Sequence, residues 1–390
     1  MSWSQVTGGA GWSGRFGHTS VVFDSKIFVL GGGDGSDLND VWSSSDGGLS
    51  WIQVTGAAGW SGRTGHSSVV SGDMIFVLGG YAGSFLNDIW SSFAGVSWSQ
   101  VTGGAGWSGR TGHTSVVYMS MVFVMGGRGE GGFLNDIWSS SDGMNWVEVT
   151  GAAGWSGRKS HTSVVFDSKI FVLGGGDASG SFLNDVWSSV DGASTLSLPS
   201  GEPTSLPTSL PSGEPTSLPT IPTGQPTPEP TVSSGAVSIA TQWTQVASAA
   251  GWSGRGMHSS VVYNNKIFVL GGYGSDGSGN LNDIWSSTDG TDWIEVTSNA
   301  PWSGRRDHTS VVYNNKIFVL GGHGASGNLN DVWSSFDGVS WSQVTGGAGW
   351  SGRAGHASVV YNNKIFVLGG YGYAGSYLND IWSSSDGMNW

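Results

Sequence analysis

The sequence predicts an all-β protein: a seven-bladed β-propeller with four antiparallel strands per blade. Three observations carry this expectation. The segment Trp-Ser-Gly-Arg-x-x-His occurs seven times, starting at Trp12, Trp60, Trp107, Trp155, Trp252, Trp302 and Trp350. Each repeat holds four short runs suited to strands. The 390 residues include 68 glycines and 22 tryptophans and only 11% are charged, a composition of turns and short strands.

The repeat tryptophans are spaced by 48, 47, 48, 97, 50 and 48 residues, so one interval is double and the others are nearly constant. In the first repeat, His18–Phe23 is a β-branched run and Asp24-Ser25 a tight turn. Lys26–Gly32 is a second strand, apolar on both faces, which only stacked blades can cover. Leu38–Ser44 and Ser50–Thr55 are the third and fourth, joined by a turn at Asp46-Gly47-Gly48.

The double interval holds residues 193–241, rich in proline, serine and threonine. This composition cannot form a core and predicts a disordered or polyproline loop or linker. It interrupts the hairpin between the third and fourth strands of blade four, because Asp191-Gly192 precedes it and the strand Trp243–Val246 follows. Lengthening such a loop from ~4 to ~49 residues costs only about 2 kcal/mol. Opening the ring would expose whole apolar blade faces, a larger cost. Residues 1–192 and 242–390 are therefore expected to form one propeller. The C-terminal repeat has three strands and stops at Trp390. The spare strand Trp3–Thr7 is expected to complete blade seven, with Trp3 and Trp390 competing for one position.

These residues resemble the kelch family. Arg15, Gly31, Gly32, Asn39, Asp40 and Trp51 take its Arg, Gly-Gly, Asn-Asp-type and Trp positions, and the set recurs in all seven repeats. Ser-Ser in the third strand and Trp-Ser-Gly before the Arg depart from it. The turn Ser-x-Asp-Gly-x-x-Trp also resembles a shortened Asp box of sialidase-type propellers. The resemblance implies a binding or interaction scaffold. It leaves a carbohydrate-active enzyme as the alternative, of galactose-oxidase-like or sialic-acid-processing type. The copper site of the former needs a cysteine, and this chain has none.

Repeated residues are expected to be scaffold. Arg15, Arg63, Arg110, Arg158, Arg255, Arg305 and Arg353 are expected to clamp a repeated aspartate such as Asp40. Their companions are His18, His66, His113, His161, His258, His308 and His356. One histidine per blade is too dispersed to surround one metal. Asp34, Asp37 and Asp276 invite a calcium reading but lack a closing glutamate. Gly-Gly lacks the lysine and helix of a phosphate loop. No catalytic residue, metal site or cofactor is expected.

Residues that break the repeat are the candidate ligand contacts. After the Gly-Gly doublets come Tyr81, Arg128, Glu130, Tyr273, His323, Tyr371 and Tyr373. Within Arg-x-x-His come Phe16, Lys159, Arg306 and Asp307. All map to the face formed by inter-blade connections and strand 2–3 loops. Aromatic and charged side chains around a funnel are what a binding surface uses. The expected partner is a protein segment or a glycan.

The net charge of −13 argues against nucleic acid and anionic membranes. No apolar run is long enough to insert in a membrane, and a monomeric ring is expected. Without cysteine there are no disulfides or thiolate sites. The Ser/Thr/Pro tract resembles an O-glycosylated stalk and favours an extracellular or cell-surface setting, although no signal peptide is visible. Met1 falls inside a repeat, which leaves open that the chain is a fragment.

Overall fold

The computed structural model describes residues 4–190, 242–275 and 277–385. They form seven four-stranded antiparallel blades around a central channel. Blade one consists of Thr19–Phe23, Lys26–Gly33, Asp37–Ser44 and Ile52–Thr55, paired in that order from the channel outward. The innermost strand of each blade neighbours that of the next, and Ala357–Tyr361 neighbours Thr19–Phe23, which closes the circle.

The core is a set of seven layers between adjacent blades rather than one central mass. Ile27, Phe28, Val29 and Leu30 are all at most 1% exposed. Strand alternation divides them. Ile27 and Val29 pack with Phe366, Leu368 and Ile381 of blade seven. Phe28 and Leu30 pack with Trp60, Ile75 and Val77 of the next layer. This is why the second strand is apolar on both faces.

The inner hairpins turn on two residues of positive φ, Asp24 at 45° and Ser25 at 53°, repeated at Asn264 (46°) and Asn265 (54°). Such turns match the twist of paired strands. At the other end of the second strand, Gly32 has φ of 96° beside a register shift. A Cβ there would lie 2.8 Å from His18 Cβ and 2.9 Å from the Phe16 carbonyl oxygen, so the doublet serves close packing.

Two blades are completed from distant sequence. Trp243–Ala247 pairs with Val186–Ser189 as the outer strand of blade four. Ser4–Thr7 pairs with Ile381–Ser384 of blade seven, with Ser4 opposite Ser383 and Thr7 opposite Ile381. The closing strand foreseen at the N-terminus is therefore in place. Trp3, Trp390, Asp276 and the tract 193–241 lie outside the described residues.

Candidate functional site

The repeated arginine is fully buried in every blade. Arg15 donates Nη1–H and Nη2–H to Asp40 Oδ1 and Oδ2 at 2.6 and 2.8 Å, and Nη1–H also to the Gly31 carbonyl at 2.9 Å. Trp42 Nε1–H donates to Asp40 Oδ2 at 2.7 Å, and the Arg15 guanidinium sits 5.1 Å from the Trp12 ring centroid. Arg63–Asp88, Arg110–Asp136, Arg158–Asp185, Arg255–Asp283, Arg305–Asp331 and Arg353–Asp380 repeat the pair. Bidentate bonds compensate both charges and occupy the donors, so these arginines are not open to a ligand.

The repeated histidines join blades. His66 Nε2 lies 3.0 Å from Thr19 Oγ1 of the preceding blade. His113–Ser67, His161–Thr114, His258–Thr162, His308–Ser259 and His356–Thr309 make the same contact. Burial, and then the neighbouring clamp arginine, pushes His18, His66, His161 and His308 down to about 3, and the other three well below their ordinary value. They are neutral at physiological pH. His66, His161, His258 and His308 line, with Thr19, Ser20, Thr114 and Ser115 and their equivalents, a central cavity of about 530 Å³. Its wall is uncharged and rich in hydroxyls.

The connection face carries the repeat-breaking residues. Backbone bridges join the two classes in each blade: Phe16 with Gly33, Thr64 with Tyr81, Thr111 with Arg128, Arg306 with His323 and Ala354 with Tyr371. Lys159 pairs Gly176 and Gly256 pairs Tyr273 in the same way. The sequence placed these residues on one face; the structure also makes them neighbours.

A further pattern had not been visible. Five of these side chains rest on a residue at or just before the start of the third strand of the preceding blade. Arg128 lies 6.0 Å from the Phe85 ring and Lys159 5.6 Å from Phe133. Phe16 stacks on Tyr377 at 5.1 Å, and Tyr273 meets Phe182 edge-on at 5.9 Å. Arg306 donates to Asn280 Oδ1 at 3.2 Å and covers Tyr273 at 4.9 Å. Asn328 Oδ1 accepts from His323 Nδ1–H at 2.7 Å, and Asn328 Nδ2–H donates to the Tyr371 carbonyl at 2.8 Å. Varying residue types at both positions was the available sequence signal. These contacts hold the side chains in place while leaving Phe16, Tyr81, Arg128 and Tyr371 exposed, with Lys159, Tyr273, Arg306, Asp307 and His323 half-buried. Glu130 and Tyr373 are exposed, Tyr373 at 77%. Asp34 closes its own turn by accepting from Ser36 N–H and Oγ–H.

The opposite, hairpin face is less uniform than its repeated turns suggest. Leu49, Phe93, Val96, Met144, Phe336 and Val339 are each 56–69% exposed there. The turns themselves are structural. Asp142 Oδ1 accepts from Met144 N–H and Asn145 N–H, and Trp146 Nε1–H donates to the Gly143 carbonyl. The Asp-box-like carboxylate is thus engaged within its own turn.

Comparison with known families agrees with this geometry. The KLHDC2/KLHL20/DRC7 Kelch-repeats domain matches residues 236–390, and the Kelch motif matches residues 14–43, 62–91 and 157–188. The chain belongs to the kelch-repeat β-propeller family. A comparison with curated proteins gives no match. In this kelch ring the motif arginine, glycine doublet and aspartate form one clamp. The motif therefore describes how a blade is held.

Proposed function

We propose that this kelch propeller is a binding module that recognises a protein segment or a glycan on its connection face. The observation that carries the reading is the pairing of repeat-breaking residues across that face. Aromatic and cationic side chains are positioned by inter-blade contacts and keep exposed surface. A ligand meeting positioned side chains loses less ordering entropy than one meeting mobile chains. Tyr and Arg are also the types that dominate interface energies once desolvated.

A glycan array read beside a protein pull-down separates the two ligand classes. With the ligand in hand, Arg128→Ala and Tyr371→Ala should each weaken binding by tenfold or more and leave the melting temperature nearly unchanged. Asn265→Ala and Asn315→Ala, on the hairpin face, should leave affinity alone. Loss of binding through the asparagines with none through Arg128 and Tyr371 would place the ligand on the other side of the ring.

A further inference from the structure

The residue before each motif histidine forms a belt around the channel mouth. Gly65 N–H donates to Gly17 O, Gly112 to Gly65, Ser160 to Gly112, Met257 to Ser160, Asp307 to Met257 and Gly355 to Asp307, at 2.9–3.3 Å. All seven belt residues have positive φ, between 53° and 62°. In blades one, two, three and seven the residue is glycine, which adopts this conformation freely. In blades four, five and six it is Ser160, Met257 and Asp307, at 55°, 55° and 53°. A side chain in that region costs about 1–2 kcal/mol. Strain is therefore retained on one side of the mouth, where a ligand entering the channel must pass.

Asp307 is unlike the clamp aspartates. Asp331 of the same blade accepts two hydrogen bonds from Arg305 and one from Trp333 Nε1–H. The Asp307 carboxylate accepts none from the described residues. Its nearest cation, Arg306 Nε, is 3.7 Å away, beyond hydrogen-bond distance. Arg306 is already engaged with Asn280 and the face of Tyr273. Burial pushes the Asp307 carboxyl above its ordinary value, against the opposing influence of Arg306 and His323. The uncharged channel wall below supplies no counter-charge.

The carboxylate, 40% exposed and in an ion pair with Arg306, keeps its hydrogen-bond acceptors open. An ionised carboxylate only accepts, so a further partner is a donor, and a charged donor bonds most strongly. Resting on the connection-face reading above, we propose that Asp307 receives a primary ammonium group, from a lysine side chain of a protein partner, at the channel mouth. An ammonium is compact and carries three diverging donors. Asp307 takes one and hydroxyls such as Thr309 at the channel entrance take others. The net charge of −13 steers cationic segments toward the ring.

The test is calorimetric titration, at low ionic strength, with three peptides. These are tetralysine blocked at both ends, the same peptide with every lysine acetylated, and tetraglycine with a free amino terminus. Blocked tetralysine should bind and its acetylated form should not. Asp307→Asn, which keeps size and tolerates positive φ, should lower tetralysine affinity at least tenfold. Asp34→Asn, on the same face, should change it less than twofold. Tetraglycine binding that matches tetralysine would assign the site to a chain terminus and overturn the lysine source. Equal binding of the acetylated peptide, an Asp307→Asn protein that binds normally, or no binding of tetralysine would overturn the proposal. The Arg128 and Tyr371 variants, assayed with the natural ligand, judge the connection face separately.

Discussion

At the junction served by His18, Ala357 stands at the position where each of the other six blades offers its neighbour's motif histidine a Ser or Thr hydroxyl. A Cβ on Gly369 would meet His18 Cε1 at 3.2 Å, as one on Gly31 would meet His66 Cε1 at 3.3 Å, so both histidines occupy equivalent places. His66 reaches Thr19 Oγ1, but position 357 offers only a methyl group. Both ring nitrogens of His18 are buried without a hydrogen-bond partner among the described residues. This junction is also where the N-terminal strand closes the ring.

Ala357→Thr should restore the missing contact and stabilise the ring by about 1 kcal/mol, the usual net worth of one hydrogen bond. Thr114→Ala, at an ordinary junction, should cost about 1–3 kcal/mol by orphaning His161 Nε2. Urea midpoints check both. An Ala357→Thr protein no more stable than the parent would show that the seam is satisfied in another way.

Removing one clamp partner should be far more damaging. Asp40→Ala leaves the Arg15 guanidinium buried and uncompensated, a cost of about 3–5 kcal/mol. Arg128→Ala, which removes an exposed cation, should stay within about 0.5 kcal/mol. Comparable losses in the two variants would contradict the division into scaffold and surface.

Acid should unfold this ring early. The motif histidines are neutral in the folded state, four of them down to about 3, while an unfolded histidine titrates near 6.5. Between those values the unfolded chain binds more protons. Stability is then full above about pH 6.5 and falls as pH drops toward 3, by up to about 1.4 kcal/mol per pH unit for each histidine. Denaturant midpoints at pH 7.5, 6 and 5 should decline with increasing steepness. A flat profile over that range would mean that the histidines are charged in the fold.

The belt offers a conformational test. Ser160→Gly should stabilise by about 0.5–1 kcal/mol, the left-handed penalty less the entropy cost of glycine. Gly112→Ala should destabilise by about 1 kcal/mol. A Cβ there meets its nearest neighbour, Lys159 Cβ, at an ordinary 3.5 Å, so the loss is conformational rather than steric. Thermal unfolding of both variants decides, and opposite signs are expected.

Cleavage within 193–241 should leave one associated particle. The pairing of Trp243–Ala247 with Val186–Ser189, and of Ser4–Thr7 with Ile381–Ser384, ties the two halves at both junctions. Limited proteolysis followed by size-exclusion chromatography checks this. Two separately eluting halves would speak for independent units.

Seven Trp-Ser-Gly-Arg-x-x-His segments and strands such as Ile27–Leu30 were enough, from the sequence, to specify seven stacked blades, the closing N-terminal strand and the face bearing Phe16, Arg128 and Tyr371. Those features are local and periodic: strand alternation, turn chemistry and burial on both faces repeat every 48 or so residues. The tertiary structure alone decided that Arg128 rests on Phe85, that Asp307 lacks the bonds given to Asp331, and that His18 finds Ala357 where His66 finds Thr19. The first and the last of these join residues of different blades, and His18 and Ala357 stand near opposite ends of the chain. Ring closure brings such pairs together, and no periodicity along the chain encodes which side chains then fall opposite one another.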